Sequence, residues 1–423
     1  MYIVPGQRLH RINAVLGARA QPSEGLDPAA LIERARKGTG LQDLGHQSFR
    51  EPFELLVRAL ETEAVLSPIG RRIALTRLEG ALRNRLMLQA DQRRFPALQD
   101  QKIERPLFIV GMPRTGTSIL FHLLAQDPGH LTPMLWKLDF PSPPPPRDPR
   151  AWERRVWQTR FRSLLLRGLL PELRAVHTVE AGLPHECVVM MGHEFASIVY
   201  SIPYHVPSYE DWLLDADFRP AYAWHRRFLE QLQFQVTEPR WVLKSPTHLL
   251  SLDTLFEAYP DARIVWTHRD PIEAVPSIAN LTCTLRALSS EAIDPIAIGP
   301  RAAHFWSRAI DRGQAFRVEH PELEDRFLDV RFTEICNDPL AVARRIDQRF
   351  DLGVSALGWA RMRRFVQKHP RHEHGKHRYR AETFGVDPAS VAARFKRYRE
   401  THEFDVTPAA AADASARSSG TSG

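Results

Sequence analysis

Cysteine is scarce in this chain. Only Cys187, Cys283 and Cys336 occur among 423 residues, and they lie far apart. A disulfide framework needs paired cysteines, and a structural zinc site needs closely spaced Cys and His ligands. The sequence shows neither pattern, so we expect reduced, structural thiols of the kind found in cytosolic proteins.

Long apolar runs are lacking as well. No stretch reaches the roughly 20 residues that span a membrane. The N-terminal residues 1–6 do not show the basic segment and apolar core of a signal peptide. The sequence therefore predicts a cytoplasmic protein without a transmembrane segment.

Charge and apolar content favour a large globular fold with an anionic ligand. Hydrophobic residues make up 43% of the chain, and the formal net charge is +7. Nucleic acid is the obvious alternative partner for a basic protein, but no zinc-finger, RNA-binding or zipper signature is present. We expect no nucleic-acid partner.

The pattern of apolar residues divides the chain into three parts. Residues 1–104 carry leucines at three- and four-residue steps, which predicts an N-terminal helical region packed on the core. Residues 105–405 alternate strands with helices, which predicts an α/β domain with a parallel sheet flanked by helices. Residues 406–423, rich in Ala, Ser and Gly, predict a disordered tail.

Four strands and their following helices are predicted in the α/β part. The strands are expected at 107–111, 241–244, 263–267 and 327–330, and the helices at about 117–126, 150–170, 186–195, 249–259, from 271 onward and at 339–350. Asp270, Pro271 and Glu273 fit the N-cap, the first helical position and the capping-box position of one of these helices.

The first strand runs into a turn bounded by Gly111 and Gly116, and a helix begins near Thr117. The glycines let backbone N–H groups crowd toward one point, and the helix adds its unpaired amides. The spacing resembles a P-loop in which Thr117 replaces the lysine of nucleotide-triphosphate enzymes. Arg114 inside the turn supplies the cation. We expect a phosphate-like or sulfate-like ligand that is bound with little or no help from a metal.

Basic residues follow the ends of three predicted strands. They are Arg114, Lys244 and Arg269. Strand ends of a parallel sheet share one edge, where such folds bind ligands. Each residue alone reads as an ordinary surface cation, but the three together favour a ligand with two anionic groups.

These motifs together resemble the sulfotransferase superfamily, and in particular its bacterial branch with a P-loop-like core. The segment 113–118, Pro-Arg-Thr-Gly-Thr-Ser, resembles the loop that holds the 5′-phosphosulfate. Arg269 with Ser277 resembles the 3′-phosphate motif, and the segment 241–248 resembles a lysine-containing strand end of the family. The resemblance extends from about Leu107 to Tyr398.

The resemblance implies transfer of a sulfuryl group from 3′-phosphoadenosine 5′-phosphosulfate (PAPS) to a hydroxyl or an amine, with no metal. The residues that it assigns to the donor are Arg114, Thr115, Gly116, Thr117, Ser118, Arg269, Ser277 and Arg378. Arg378 belongs to a basic segment that resembles a loop over the 3′-phosphate; His372, His374 and His377 nearby match no structural zinc spacing. Arg114 and Lys244 would stabilise the charge on the leaving phosphate.

The general base is not given by the motif. The tyrosylprotein branch of the family places a Glu about two dozen residues after the loop arginine, but this chain has Lys137 there. We take Glu186 as the first substitute, with His185 and His193 as rivals. A favourable charge in the first turn of a helix explains Glu186 equally well.

Two other functions stay open at this stage. One is a small-molecule kinase that uses magnesium, with Asp270 as a metal ligand. The other is an inactive descendant that only binds the nucleotide, which Lys137 favours.

For the sulfotransferase we expect a small-molecule or lipid-like acceptor with a hydroxyl group, and a homodimer is one candidate assembly. Trp136, Phe195, Tyr200, Tyr204 and Tyr209 are candidate lining for an apolar acceptor pocket, or ordinary core aromatics.

Overall fold

The computed structural model describes residues 25–144, 153–169, 181–236, 240–369 and 380–404. Its centre is a parallel five-stranded sheet with the order β2-β3-β1-β4-β5. The strands are β1 (Leu107–Val110), β2 (His130–Leu131), β3 (Arg240–Lys244), β4 (Arg263–His268) and β5 (Phe327–Arg331). The predictions of four strands and of an α/β fold are confirmed. The two-residue β2 was missed because it is too short to show periodicity.

Helices cover both faces of this sheet. Before and just after β1 they are α1 (Pro28–Thr39), α2 (Arg50–Thr62), α3 (Pro68–Arg94) and α4 (Thr117–Leu124). Between β2 and β3 they are α5 (Leu135–Asp139), α6 (Glu153–Leu169), α7 (Val188–Met191), α8 (Pro207–Asp215) and α9 (Arg219–Gln233). The remaining ones are α10 (Leu252–Ala258), α11 (Pro271–Arg286), α12 (Pro295–Glu319), α13 (Phe332–Asn337), α14 (Pro339–Phe350), α15 (Ala356–Lys368), α16 (Pro388–Arg394) and α17 (Lys396–Thr401).

Two predicted helices differ from the observed ones. The helix expected at 249–259 is split into a 3₁₀ segment, Pro246–Leu250, and α10, because Ser251 between them has an extended φ of -153°. The helix expected at 186–195 is only α7 and one 3₁₀ turn, Gly192–Glu194, which ends where Phe195 adopts a left-handed φ of 55°. Apolar periodicity marked both segments but not their breaks.

Alternation along β1 separates two hydrophobic layers. Leu107 and Ile109 belong to one core cluster, which α4, α14 and α15 complete. Phe108 and Val110 belong to the other, larger cluster. Successive side chains of a strand point to opposite faces, so the sheet is buried on both sides and its ligand edge is left at the strand ends.

The N-terminal helices share the larger cluster with the sheet. Leu31 of α1, Phe53 of α2 and Leu82 of α3 are buried in the same cluster as Phe108. The boundary at residue 104 stays a prediction, and residues 1–24 and 405–423 lie outside the described residues.

The cysteines and the helix lengths bear on the predictions of free thiols and of no transmembrane segment. All three cysteines are free, and Cys187 and Cys283 are buried. Among the described residues, no helix combines the length and the apolar content needed to cross a bilayer.

Candidate active site

The turn after β1 forms a backbone cradle that only small residues permit. Gly111 has a φ of 137°, and a Cβ there would lie 2.4 Å from the Thr267 hydroxyl oxygen. Gly116 has a φ of 92°, and a Cβ there would lie 2.8 Å from Ile335. Gly116 is also the N-cap of α4 and has no side chain to cap it. The first amides of α4 therefore point toward the turn without a side-chain cap, as an anion site requires.

Thr115 has a structural contact inside this turn. Its hydroxyl is buried, donates to the Met112 carbonyl at 2.7 Å and lies 2.6 Å from the Thr267 hydroxyl. The predicted donor residues Thr117 and Ser118 begin α4, where Thr117 is buried and Ser118 is exposed. Of the three hydroxyls, that of Ser118 therefore faces the open side.

The structure brings Arg114, Arg269 and Ser277 together. Arg114 has a left-handed φ of 70°, and its Nε donates to the Ser277 hydroxyl at 3.0 Å. Arg269 donates from its guanidinium to the Arg114 carbonyl at 2.9 Å and stacks 4.3 Å from the Phe332 ring centroid. The residues predicted for the two phosphates thus meet at Arg114.

Lys244 lies at the other side of the turn. Its ammonium donates to Ser118 at 3.4 Å and to the Glu186 carboxylate at 2.5 Å. The Lys244 side chain is 5% exposed and that of Glu186 is 20% exposed. Since β3, β1 and β4 are neighbours in the sheet, their strand ends place Lys244, Arg114 and Arg269 along one edge, as the sequence predicted.

Glu186 reaches Lys244 because the segment before it pairs with the segment before α5. Leu135 donates its amide to the Leu183 carbonyl at 3.2 Å, and His185 donates its amide to the Pro133 carbonyl at 2.7 Å. Glu186 and Lys137 therefore sit on neighbouring segments. Burial lowers the pKa of Lys137 from its ordinary value of 10.5. An acid is absent at position 137, but a carboxylate from the adjoining segment stands against Lys244.

The two histidine rivals have backbone partners. His193 is buried, its Nδ1 lies 2.9 Å from the Val189 carbonyl, and burial lowers its pKa to about 4. His185 accepts the amide of Glu186 at its Nδ1, at 2.9 Å. The candidate pocket aromatics are core residues: each of the five is at most 3% exposed, namely Trp136, Phe195, Tyr200, Tyr204 and Tyr209.

The capping motif of α11 is only partly formed. Asp270 caps α11 by accepting the Ile272 amide at 3.0 Å, as expected. Glu273 pairs with Arg269 at 3.1 Å in the described contacts, where the motif predicts a capping box. Asp270 is also held by the Arg399 guanidinium through bonds of 3.1 and 3.0 Å. This two-point pairing counts against the magnesium role that a kinase would need.

Sequence reasoning missed Arg399 and a buried polar cluster beside Phe108 of β1. Cys187, His225 and His248 each offer a ligand atom within 4.8 Å of the others. The Nδ1 atoms of these histidines lie 2.7 Å from the Tyr259 hydroxyl and 2.6 Å from the Tyr222 hydroxyl, respectively. No local pattern signals these contacts, because they join residues far apart in the chain. The predicted Arg378, with the histidines near it, lies outside the described residues.

The known proteins that resemble this chain include several sulfotransferases. The family model described as "Sulfotransferase family" matches residues 106–356, more than half of the chain. The curated omega-hydroxy-beta-dihydromenaquinone-9 sulfotransferase Stf3 of Mycobacterium bovis is 26% identical over 282 residues, which are 62% of this chain and 67% of that protein.

Two solved structures are similar over most of their length. Sulfotransferase STF1 of Mycobacterium tuberculosis H37Rv has a TM-score of 0.77 and 32% identity, over 87% of this chain and 98% of that one. Sulfotransferase STF9 of Mycobacterium avium has a TM-score of 0.82 and 28% identity, over 90% of this chain and 97% of that one. With a family match over more than half of its length and these structural relatives, the chain belongs to the sulfotransferase family of transferases.

Proposed function

We propose that this protein moves a sulfuryl group from PAPS to a hydroxyl group of an apolar acceptor. The observation that carries the proposal is the row of cations, Arg114, Lys244 and Arg269, beside the uncapped N-terminus of α4. Backbone amides, guanidinium groups and an ammonium are the donors that phosphate and sulfate oxygens prefer.

The donor would lie along the edge formed by β3, β1 and β4. The amides of Thr117 and Ser118, with the Ser118 hydroxyl, would hold the 5′-phosphosulfate side, close to Lys244 at 3.4 Å. Arg269 and Ser277 would hold the 3′-phosphate. Arg114, which touches Ser277 at 3.0 Å, would stand between the two anionic groups. We keep Arg378 as a further ligand of the 3′-phosphate.

The reaction needs charge stabilisation and a proton acceptor. As the acceptor oxygen bonds to sulfur, the bond between sulfur and the bridging phosphate oxygen breaks, and negative charge grows on the 5′-phosphate. Lys244 would stabilise that charge as it develops. Glu186, 2.5 Å from Lys244, would take the proton of the acceptor hydroxyl. The released products would be the sulfated acceptor and adenosine 3′,5′-bisphosphate.

The apolar acceptor is proposed by analogy with a relative. The curated relative is named for a hydroxylated dihydromenaquinone. By analogy, we propose an acceptor with a hydroxyl group on an apolar skeleton for this chain. The polar edge built from Lys244 and Glu186 would select the hydroxyl, since only a group that places a proton near Glu186 can react.

Calorimetric titration of the full chain tests the donor before the acceptor is known. We expect adenosine 3′,5′-bisphosphate to bind without magnesium and more tightly than AMP or ATP. Arg269→Ala should weaken the bisphosphate by about 10- to 100-fold, the loss expected for a charged hydrogen bond, and leave AMP binding unchanged.

Arg344→Ala is the matched control, because this arginine is half exposed on α14 and pairs only loosely with Asp338 at 4.0 Å. It should bind both nucleotides like the wild type. Preference for magnesium-ATP, or equal bisphosphate affinity of Arg269→Ala and wild type, would reject the proposed donor site. Tight binding without any release of bisphosphate from PAPS would indicate the inactive descendant.

A further inference from the structure

Helix α6 carries an exposed stripe of large apolar side chains. The exposed fractions are 67% for Trp157, 59% for Phe161, 59% for Leu164 and 54% for Leu165. Steps of four, three and one residues place them on one helix face. No other helix among the described residues carries more than two exposed large apolar side chains. We call them the α6 stripe.

The face of α6 that packs on the protein presents polar side chains next to the half-buried Val156. Thr159 and Ser163 are buried there. Arg155 donates to two backbone carbonyls after α5, at 3.2 and 2.9 Å, and Arg162 pairs with Asp139 at 3.4 Å. A surface helix ordinarily buries its apolar face and exposes its polar one. The reversed orientation of α6 indicates that its outer face meets an apolar phase or partner.

The charge on α6 narrows the choice of partner. Its sequence contains one acidic residue, Glu153, and five arginines, namely Arg154, Arg155, Arg160, Arg162 and Arg167. Arg160 is exposed at the border of the α6 stripe, and Arg154 is exposed on the same face one turn before Trp157. Tryptophan with leucine and phenylalanine on one face, and arginines beside them, is the composition of helices that lie in a membrane interface.

We propose that α6 docks this protein on the surface of an anionic lipid bilayer. The α6 stripe would enter the boundary between headgroups and acyl chains, and Arg154 and Arg160 would extend to the lipid phosphates. A second copy of this chain fits less well, because two such stripes face to face would bring like-charged arginines together.

The place of α6 connects docking to the proposed reaction. Helix α6 packs on α5, and the residues before α5 pair with the segment that ends at Glu186. A hydroxyl at the membrane surface would thus approach from the side of the proposed base. This step rests on the proposed function, whereas docking itself does not.

Vesicle co-sedimentation of the full chain tests the docking without donor or acceptor. We expect binding to vesicles of equal parts phosphatidylcholine and phosphatidylglycerol, and weaker binding to phosphatidylcholine alone or in high salt. The double variant Trp157→Ser/Phe161→Ser should reduce partitioning by roughly 100-fold, since two large apolar side chains leave the interface.

Val318→Ser/Leu357→Ser is the matched control, because these side chains are 67% and 52% exposed on other helices. It should bind vesicles like the wild type. No binding by the wild type, or equal binding by the Trp157→Ser/Phe161→Ser variant, would overturn the proposal. A wild-type dimer that this variant dissociates, with no vesicle binding, would assign the stripe to self-association and also overturn it. Nucleotide calorimetry on the same samples reports separately on the donor site.

Discussion

Among the ion pairs with low solvent exposure, one in the helical layer and one at the sheet edge are built differently. Arg85 and Glu194, in the helical layer, are 0% and 2% exposed at their side chains. Lys244 and Glu186, at the sheet edge, are 5% and 20% exposed. The first pair is enclosed, and the second opens to one side.

The enclosed pair is surrounded by partners. The Arg85 guanidinium donates to three backbone carbonyls besides Glu194, and it lies between the rings of Phe49 and Trp224, at 4.2 and 4.1 Å. Burial lowers the pKa of Arg85 to about 10, while Glu194 opposes that fall. Such a pair holds α3 to the 3₁₀ turn Gly192–Glu194 and to the loop before α2, and its charges have no access to a substrate.

At the Lys244 end of the open pair, the described contacts are fewer than those of Arg85. The described hydrogen bonds of the Lys244 ammonium reach Glu186 and Ser118, although this group carries three donors. The third N–H donor of Lys244 and the exposed part of Glu186 leave room for a ligand between α4 and β3. An ion pair of a cationic side chain and a carboxylate is structural when protein groups enclose it on all sides. The same kind of pair is suited to catalysis when one side is open to a ligand.

The largest expected effect separates the two pairs by stability. Arg85→Met would leave the Glu194 carboxylate buried without its partner, so we expect a loss of about 3–5 kcal/mol in the free energy of unfolding. Lys244→Met leaves a partly exposed carboxylate that water can reach and should cost less, about 1–2 kcal/mol. Urea unfolding of both variants measures the difference, and equal losses would erase the distinction between enclosed and open pairs.

A second test separates the pairs by turnover. Glu186→Gln keeps the shape and a contact with Lys244 but removes the base, so we expect release of adenosine 3′,5′-bisphosphate from PAPS, with acceptor present, to fall by about 10²–10⁴-fold at unchanged nucleotide affinity. Glu194→Gln is the matched control and should keep the turnover of each folded molecule. Nearly normal turnover in Glu186→Gln would assign the base to another residue.

The smallest expected effect concerns acid stability around the enclosed pair. His193, whose carbonyl accepts from Arg85, has a pKa lowered by burial from 6.5 to about 4. Between these values the unfolded chain binds a proton that the folded chain does not. The contribution of His193 is therefore complete above pH 6.5 and is lost as the pH falls toward 4, by at most about 1.4 kcal/mol per pH unit.

Urea unfolding across this pH interval measures the slope. In His193→Gln the fall of stability with acid should be shallower by up to one bound proton. Other buried histidines, including His225, have pKa values lowered in the same direction, so a slope remains in the variant. An identical slope in variant and wild type would show that the burial of His193 does not control this part of the acid response.

The sequence by itself determined the features that rest on local geometry. Gly111 and Gly116 at fixed spacing, an apolar strand before them and a helix after them predicted the anion cradle, because positive φ values and close backbone contact require glycine. Basic residues after three strands predicted a common edge, because parallel strands end on the same side. Family and fold class followed from this combination, and both are confirmed.

Tertiary structure decided what depends on contacts between distant residues. Glu186 became a candidate base through its pairing with Lys244, 58 positions away in the chain. The contact of Arg399 with Asp270 counts against a metal-binding role for Asp270. Helix α6 presents polar side chains inward because Asp139 and nearby carbonyls bind its arginines. Local periodicity reports which side chains share a face of an element, whereas the partner of that face is fixed only when the chain closes on itself.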